Sequence, residues 1–313
     1  MTAASTEVAV HKRSPGRMGF FTDTTTCIGC KACEVACKQW NDLPADELRI
    51  GKGHSYDYTG GLSASTWRHV RFVEVLKPTA APAGQSEDLP DLVELAAGNA
   101  ATASAALGAP SGDGGVDLDR WVFMSDVCHH CTNAGCLDAC PTGALIRTEF
   151  ESVIVQPDIC NGCGYCVPSC PFGVIDRDPY DGRAAKCTLC YDRLEDGLEP
   201  ACAKACPTDS IQFGPYDELV GRAKGRVLEL HERGMESAYL YGAGDEPEDQ
   251  LAGELGAFFL LTEPPERFGL PANADSPIQE NVVAATAAGL IAGVAAAAVT
   301  IGSFVIKHRG AKK

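Results

Sequence analysis

Cys160-Asn-Gly-Cys163-Gly-Tyr-Cys166-Val-Pro-Ser-Cys170-Pro171 spells C-x2-C-x2-C-x3-C-P. Three closely spaced thiols can close around one compact inorganic core, whereas the fourth, offset by three residues and followed by Pro, points elsewhere. The motif therefore predicts further runs of cysteines that share ligands with this one. The sequence supplies three: Cys27, Cys30, Cys33 and Cys37; Cys128, Cys131, Cys136 and Cys140, closed by Pro141; and Cys187, Cys190, Cys202 and Cys206, closed by Pro207.

All 16 Cys of the 313 residues fall in these four quartets. Crowded C-x2-C neighbours are the wrong distribution for a disulfide framework. Two C-x2-C pairs could make a tetrahedral zinc site, but a third Cys two residues on and a C-x3-C-P ending are not a zinc pattern. The arrangement matches iron–sulfur cubanes. Covalent c-type haem is excluded, because Lys31, Thr132, Gly164 and Tyr191 follow the second Cys of each pair where haem attachment needs His. Asp and Glu outnumber Lys and Arg by 42 to 26, giving a formal charge of −16, which argues against nucleic acid as a partner.

Along the sequence, residues 1–26 carry Lys12, Arg13 and Arg17 without an apolar run behind them, so they read as a flexible lead-in and not a secretory signal. Cys33 to Trp40 is helix-compatible, placing Cys33 and Cys37 one turn apart on one face, free to serve different clusters. Trp40 is expected to pack as a shield over a cluster. Trp67 to Leu76 reads as a strand, with His69 at the surface or hydrogen-bonded. Residues 77–119 are Ala-, Gly- and Pro-rich and read as an insertion with one short helix at Leu89 to Ala97. His129 and His130 are expected to face solvent or a hydrogen bond, since four thiolates already satisfy a cubane. Ile146–Thr148 and Val153–Val155 form a hairpin. Ile211–Phe213 is a strand, Tyr216–Gly234 a helix, and Ala238–Tyr241 and Leu255–Leu261 further strands, with an acidic turn at Asp245–Asp249.

Four variants of one pattern constitute an internal repeat: two ferredoxin-like modules, each carrying two cubanes. If the middle quartets pair, Cys128, Cys131 and Cys136 share a [4Fe–4S] cluster with Cys170, and Cys160, Cys163 and Cys166 share one with Cys140. The outer quartets then give Cys27, Cys30 and Cys33 with Cys206, and Cys187, Cys190 and Cys202 with Cys37. Gly29, Gly162 and Gly164 let the backbone curl so that N–H groups point at sulfur, while Tyr165, Ile28, Leu189 and Phe172 can exclude water.

Val282 to Ile306 is 25 residues without a charge, roughly 37 Å as a helix and enough to cross a bilayer of about 30 Å. Lys307, Arg309, Lys312 and Lys313 follow it, so the positive-inside bias places the C-terminus in the cytoplasm and the cluster domain on the opposite, periplasmic or extracellular side. Gly289 and Gly293 would let another membrane helix approach closely. The expected fold class is α+β, two ferredoxin-like modules each binding two [4Fe–4S] clusters plus one C-terminal transmembrane helix. Its expected segments are a lead-in at 1–26, an outer module at 27–76 and 186–270, the insertion at 77–119 and an inner module at 120–185. A linker at 271–281, the span at 282–306 and a basic tail at 307–313 complete the sequence.

CIGCKACEVACKQWND from Cys27, KCTLCYDRLEDGLEPACAKACPTDSIQFG from Lys186 and the C-terminal span closely resemble the iron–sulfur β subunit of membrane-bound formate dehydrogenase. The four-quartet pattern alone is broader. It is similar to that of subunits of dimethyl sulfoxide, polysulfide and tetrathionate reductases and of some membrane-bound nickel hydrogenases. The resemblance implies an electron-transfer subunit that is not an enzyme by itself. Electrons from a separate molybdopterin (molybdenum or tungsten) subunit that oxidises formate would pass through four clusters to an integral membrane subunit of cytochrome b type, and on to quinone. It further implies no haem or molybdopterin in this protein, and export in the folded state with the catalytic subunit, whose twin-arginine signal serves both.

Overall fold

The computed structural model describes residues 16–45, 57, 59–76, 118–243, 252–272 and 277–310. The expected helix at Leu89 to Ala97, the acidic turn at Asp245–Asp249 and the first fifteen residues of the lead-in lie outside them. Contacts divide the chain into two units. One holds the described residues up to Phe72 and from Phe123 onward; the other, Val73–Val122, holds the distal ends of the strand pair β2 (Arg68–Leu76) and β3 (Leu118–Val127).

The first unit is built on a four-stranded sheet in the order β8-β1-β10-β9. Its strands are β1 (Met18–Asp23), β8 (Ile211–Pro215), β9 (Tyr239–Tyr241) and β10 (Ala257–Leu261). β1 runs parallel to β10, with Phe20 opposite Ala257 and Asp23 opposite Leu260, and antiparallel to β8, with Met18 opposite Pro215. Residues 18–23 are therefore a central strand, which corrects the expectation that the segment preceding Cys27 is a flexible lead-in. It was legible only as a short polar and aromatic stretch, whereas its partners lie about two hundred residues away in sequence. Close approach to β10 requires Gly19: a Cβ there would meet the Gly256 carbonyl oxygen at 2.4 Å.

Alternation along these strands assigns the two faces. Phe21, Phe258 and Leu260 face the helix α5 (Tyr216–Glu232; intervening helices are given below) and pack on its Tyr216, Leu219, Ala223 and Leu230. Phe20 and Ala257 face the other way, into a cluster that contains Cys33, Cys128, Cys187 and Cys202. All five residues of β10 are buried, which explains the unbroken apolar run AFFLL. The sheet thus spends one face on an ordinary apolar core and gives the other to the cysteines.

The remaining elements are short: α1 (Ala32–Trp40), α2 (Gly135–Asp138), the hairpin of β4 (Leu145–Arg147) and β5 (Val153–Val155), the ribbon of β6 (Asp176–Arg177) and β7 (Ala184–Ala185), α3 (Tyr191–Glu195) and α4 (Ala201–Lys204). The expected hairpin is present, its first strand one residue earlier than expected, and pairs Leu145 with Val155 and Arg147 with Val153. The last helix, α6, runs from Pro277 to Gly310, so it takes in part of the expected linker and of the expected basic tail.

Phe258, fully buried and stacked on Phe21 at 5.4 Å between ring centroids, tests the core. Phe258→Ala is expected to lower unfolding stability by about 3–5 kcal/mol, and Leu228→Ala, on the exposed face of α5, by no more than about 0.5 kcal/mol, in parallel thermal or denaturant melts.

Candidate functional site

Local backbone geometry sets the cysteines. Helix α1 starts from Lys31 in the left-handed region (φ 60°) and buries Cys33 and Cys37 one turn apart. Leu189 (φ 61°) and Cys190 (φ 50°) turn the backbone into α3, and α4, which packs on α1, carries Cys202 and leads to Cys206. Gly29, Gly162 and Gly164 all take positive φ, of 66°, 72° and 79°, the region in which only glycine is unstrained. At Gly162 a side chain would also strike the Gly182 carbonyl oxygen, 2.6 Å from an ideal Cβ.

Three cavities are each walled by four thiols. Cys128, Cys131, Cys136 and Cys170 line one; Cys27, Cys30, Cys33 and Cys206 line another; Cys140, Cys160, Cys163 and Cys166 line the third. In each, three cysteines come from one quartet and the fourth from another. The remaining four, Cys37, Cys187, Cys190 and Cys202, sit in one another's field: burial and then the Cys202 thiolate push Cys37 up to about 12, and burial and then Cys202 push Cys190 to about 11. Among the described residues, no three His, Cys, Asp or Glu side chains converge closely enough to hold a single metal ion. The spacing suits a core with its own volume.

The groups form a series. Cys166, Cys160 and Cys140 share one packed cluster with Cys136, Cys131 and Cys170. Lys186 lines the Cys128 cavity and donates to the Cys187 carbonyl. Arg68, on Cys202, also bonds Ser125, whose hydroxyl lies at Cys33. The order is therefore the Cys140/160/163/166 group, the Cys128/131/136/170 group, the Cys37/187/190/202 group and the Cys27/30/33/206 group. At the two ends Cys163 and Cys30 are exposed, flanked by Tyr165 and Ile28, which are 62% and 58% exposed. Ile28 forms part of the wall of the Cys27/30/33/206 cavity, as expected, while most of its surface stays exposed; Tyr165 does not line its cavity, contrary to expectation, and sits on the outer rim. Leu189 is buried and Phe172 packs against the core as expected.

Donors converge on sulfur. Backbone N–H groups of Ala184 and Leu189 donate to Cys160 and Cys187 at 3.4 and 3.3 Å, and Asn41 Nδ2 reaches Cys37 at 3.6 Å. Against the opposing effect of burial, the N–H groups of Leu145, Thr142 and Ala144 hold Cys140 below the usual thiol value. Thr142 and Thr208 place hydroxyls 3.6 and 3.8 Å from Cys140 and Cys206. The recurring C-P-T run is the sequence signal that marks both. Ser125 Oγ lies 3.2 Å from Cys33 Sγ, and Arg68 Nη2 donates to Cys202 Sγ at 3.1 Å. Neither Ser125 nor Arg68 has any spacing signal, because both belong to the strand pair and not to a cysteine run.

One histidine expectation needs correction, and two hold through their polar-partner alternative. His129 is buried with both ring nitrogens unpartnered, its ring stacked on Phe172 at 3.8 Å, and burial lowers it to about 4. His130 is also buried, but its Nδ1 accepts the Val153 N–H at 3.1 Å, the hydrogen bond anticipated. His69 is interior, between Glu34 and Asp57 at 3.6 and 3.3 Å. Trp40 is no shield: it is exposed, its Nε1 donating to Asp192 at 2.8 Å and Arg193 lying 4.2 Å over its ring.

In α6, Ala284–Phe304 is long and apolar enough to cross a membrane, with a mean hydropathy of 2.0, and none of it is buried against the rest of the protein. Its hydroxyls are satisfied within the helix: Thr300 Oγ1 donates to the Ala296 and Ala297 carbonyls and Ser303 Oγ to Val299.

Two family models match, both described as 4Fe-4S dicluster domains, one over residues 119–216 and one over 26–144. The protein is 39% identical over 220 residues to the formate dehydrogenase iron-sulfur subunit of Haemophilus influenzae, covering 70% of its own length and 58% of the relative. It is 40% identical over 220 residues to the formate dehydrogenase-O iron-sulfur subunit of Escherichia coli, covering 70% and 60%. It is 30% identical over 203 residues to the B subunit of the anaerobic dimethyl sulfoxide reductase of E. coli, covering 64% and 75%. The matched region thus spans about three fifths of the formate dehydrogenase subunits.

Gly162→Ala is expected to destabilise the protein more than Gly143→Ala, which has similar φ (70°) but open space around its Cβ. Strain alone amounts to about 1–2 kcal/mol; paired unfolding melts would separate the additional clash, and equal losses would show that the Gly182 backbone yields.

Proposed function

The protein belongs to the family of iron–sulfur subunits that includes the B subunit of anaerobic dimethyl sulfoxide reductase and the formate dehydrogenase iron-sulfur subunits, and we propose that it is the electron-transfer subunit of a membrane-bound formate-oxidising complex. The observation that carries this is the series of four thiol groups in which each combines three cysteines of one quartet with one of another.

The donor set fits [4Fe–4S] clusters. It is all thiol, N–H groups and hydroxyls point at sulfur, and two buried cations face the thiols without a carboxylate partner among the described residues. The ligand sets are Cys140 with Cys160, Cys163 and Cys166; Cys170 with Cys128, Cys131 and Cys136; Cys37 with Cys187, Cys190 and Cys202; and Cys206 with Cys27, Cys30 and Cys33. Bound clusters supply one-electron transfer. Gly29, Gly162 and Gly164 keep the backbone close to sulfur, and Phe172 and Leu189 exclude water from the middle of the series. Two ferredoxin-like modules with two clusters each, an inner one at 120–185 and an outer one at 27–76 and 186–270, account for this pairing. Tyr165 and Ile28, at the exposed ends, are where a molybdopterin catalytic subunit and a membrane subunit of cytochrome b type would cover the terminal groups.

The span in α6 anchors the protein, with the basic residues from Lys307 onward in the cytoplasm and the cluster domain on the other side. Gly289 and Gly293, with open space around them, give the membrane subunit a close approach. A second role, relay in a sulfoxide-reducing complex, is favoured by the fuller coverage of the sulfoxide reductase subunit, 75% of its length.

A complex purified through this protein is expected to contain about sixteen irons per copy with molybdenum or tungsten, and to reduce viologen dyes with formate. Oxidation of reduced viologen by a sulfoxide, without formate activity, would select the second role; nickel with neither other metal counts against both. Cys170→Ser is expected to perturb the spectrum of the cluster held by Cys128, and a loss confined to the Cys160 cluster would refute the cross-ligation. A reporter fused after Lys313 is expected on the cytoplasmic side, and an external reporter overturns the topology.

A further inference from the structure

Arg68 and Lys186 are among the largest fully buried side chains, 1% and 2% exposed. A cation at that depth is strongly unfavourable unless an anion faces it. No carboxylate among the described residues does so for either, and what they face is sulfur: Arg68 reaches Cys202, and Lys186 lines the cavity walled by Cys128, Cys131, Cys136 and Cys170.

Their placement is specific to the series. Arg68 Nη2 donates to Cys202 Sγ at 3.1 Å, while Nη1 donates to the Ser125 carbonyl at 3.2 Å and to Ser125 Oγ at 3.4 Å. Ser125 Oγ lies in turn 3.2 Å from Cys33 Sγ. The guanidinium therefore touches the Cys37/187/190/202 group directly and the Cys27/30/33/206 group through one hydroxyl, with the Phe20 ring 4.7 Å from its carbon. Lys186 Nζ donates to the carbonyls of Val153 and Cys187, the latter at 2.9 Å, and its side chain forms part of the wall of the Cys128/131/136/170 cavity. It stands at the next junction. The cavity of Cys140, Cys160, Cys163 and Cys166 has no Lys or Arg in its wall.

We propose that Arg68 and Lys186 are positioning residues for electron transfer: fixed interior cations, one at each of two successive junctions, that stabilise an added electron on the groups to either side. This rests on the assignment of four cluster sites. The Cys37/187/190/202 group, flanked by both cations, gains most, and the Cys140/160/163/166 group gains nothing from either. A fixed positive charge in a dry, low-dielectric setting acts over such contact distances far more strongly than a surface charge would.

The test is a redox titration followed by electron paramagnetic resonance on the purified complex, with signals assigned from single Cys→Ser variants. In Arg68→Gln the ratio of reduced to oxidised cluster at a fixed poise is expected to fall about tenfold, equivalent to about 59 mV for a one-electron couple, at the Cys27 and Cys37 groups and nowhere else. Lys186→Met is expected to do the same at the Cys37 and Cys128 groups. Arg68→Lys and Lys186→Arg, which retain charge, are expected to keep midpoints close to those of the unaltered protein. Unshifted midpoints in both neutral variants, or an equal shift at all four groups, overturn the proposal. If the neutral variants fail to assemble, rescue of iron content by the charge-retaining variants supports it and failure of those variants overturns it. Iron counting on the unaltered complex separates this from the cluster assignment itself: full iron with unshifted potentials rejects only the role of the cations.

Discussion

Buried sulfur that is to carry charge needs positive partners at fixed positions, and most of the first unit is arranged to provide them. Donors from Asn41 just after α1, from β7 and from the turn before α3 end on cysteine sulfur. Ser125 on β3 places its hydroxyl 3.2 Å from Cys33 Sγ, and Arg68 adds a full charge at 3.1 Å from Cys202. Few of these donors lie in the cysteine runs they serve. Ser125 and Arg68 come from the β2–β3 pair, and Ala184 from the β6–β7 ribbon.

The four-stranded sheet explains how so many polar demands coexist with a stable fold. Its α5 face is conventional, with Phe21, Phe258 and Leu260 against a helix, and it supplies dense packing that the cysteine side cannot. The opposite face contributes Phe20, Ile211 and Ala257 to the cysteine-rich cluster, with Met18 and Phe213 packed against it. Phe20 serves both, since its ring closes over the Arg68 guanidinium. Alternation of period two is what allows a single strand to belong to an apolar core and to a redox interior at once.

Much of this was legible in the sequence because cysteine spacing is a rigid code: the offset of the fourth thiol predicted that quartets exchange a member, and three cavities bring together the residues expected if the middle two quartets pair and the outer two pair. The strands β4, β5, β8, β9 and β10 and the helix α5 followed from alternation and helical periodicity. β1 did not, because a six-residue strand between Arg17 and Thr24 carries too little pattern to announce a parallel partner so distant in sequence. His129 failed for a related reason. A polar side chain was expected to meet solvent or a hydrogen bond, yet His129 is enclosed by Phe172 and Phe259, and the second of these arrives only with the β10 strand. Arg68 and Lys186 were invisible on the same grounds, since a net charge of −16 says nothing about where the few cations go.

That location couples cofactor loading to folding. Each buried cation left without an anion would carry an effective penalty of several kcal/mol, and a domain's whole net stability is only about 5–15 kcal/mol. With thiols protonated, Arg68 and Lys186 would face neutral sulfur, and burial does push Cys33 up to about 12 and Cys187 well above the usual value, so protonation is the resting tendency of these thiols in isolation. Metal binding removes those protons, because the thiolate is the ligand. The interior around Arg68 and Lys186 is thus balanced only when its cysteines are deprotonated and ligated, which makes the junctions between groups the part of the fold most dependent on a complete set of clusters. The sheet and α5, whose core involves no cysteine, are the part least dependent on it.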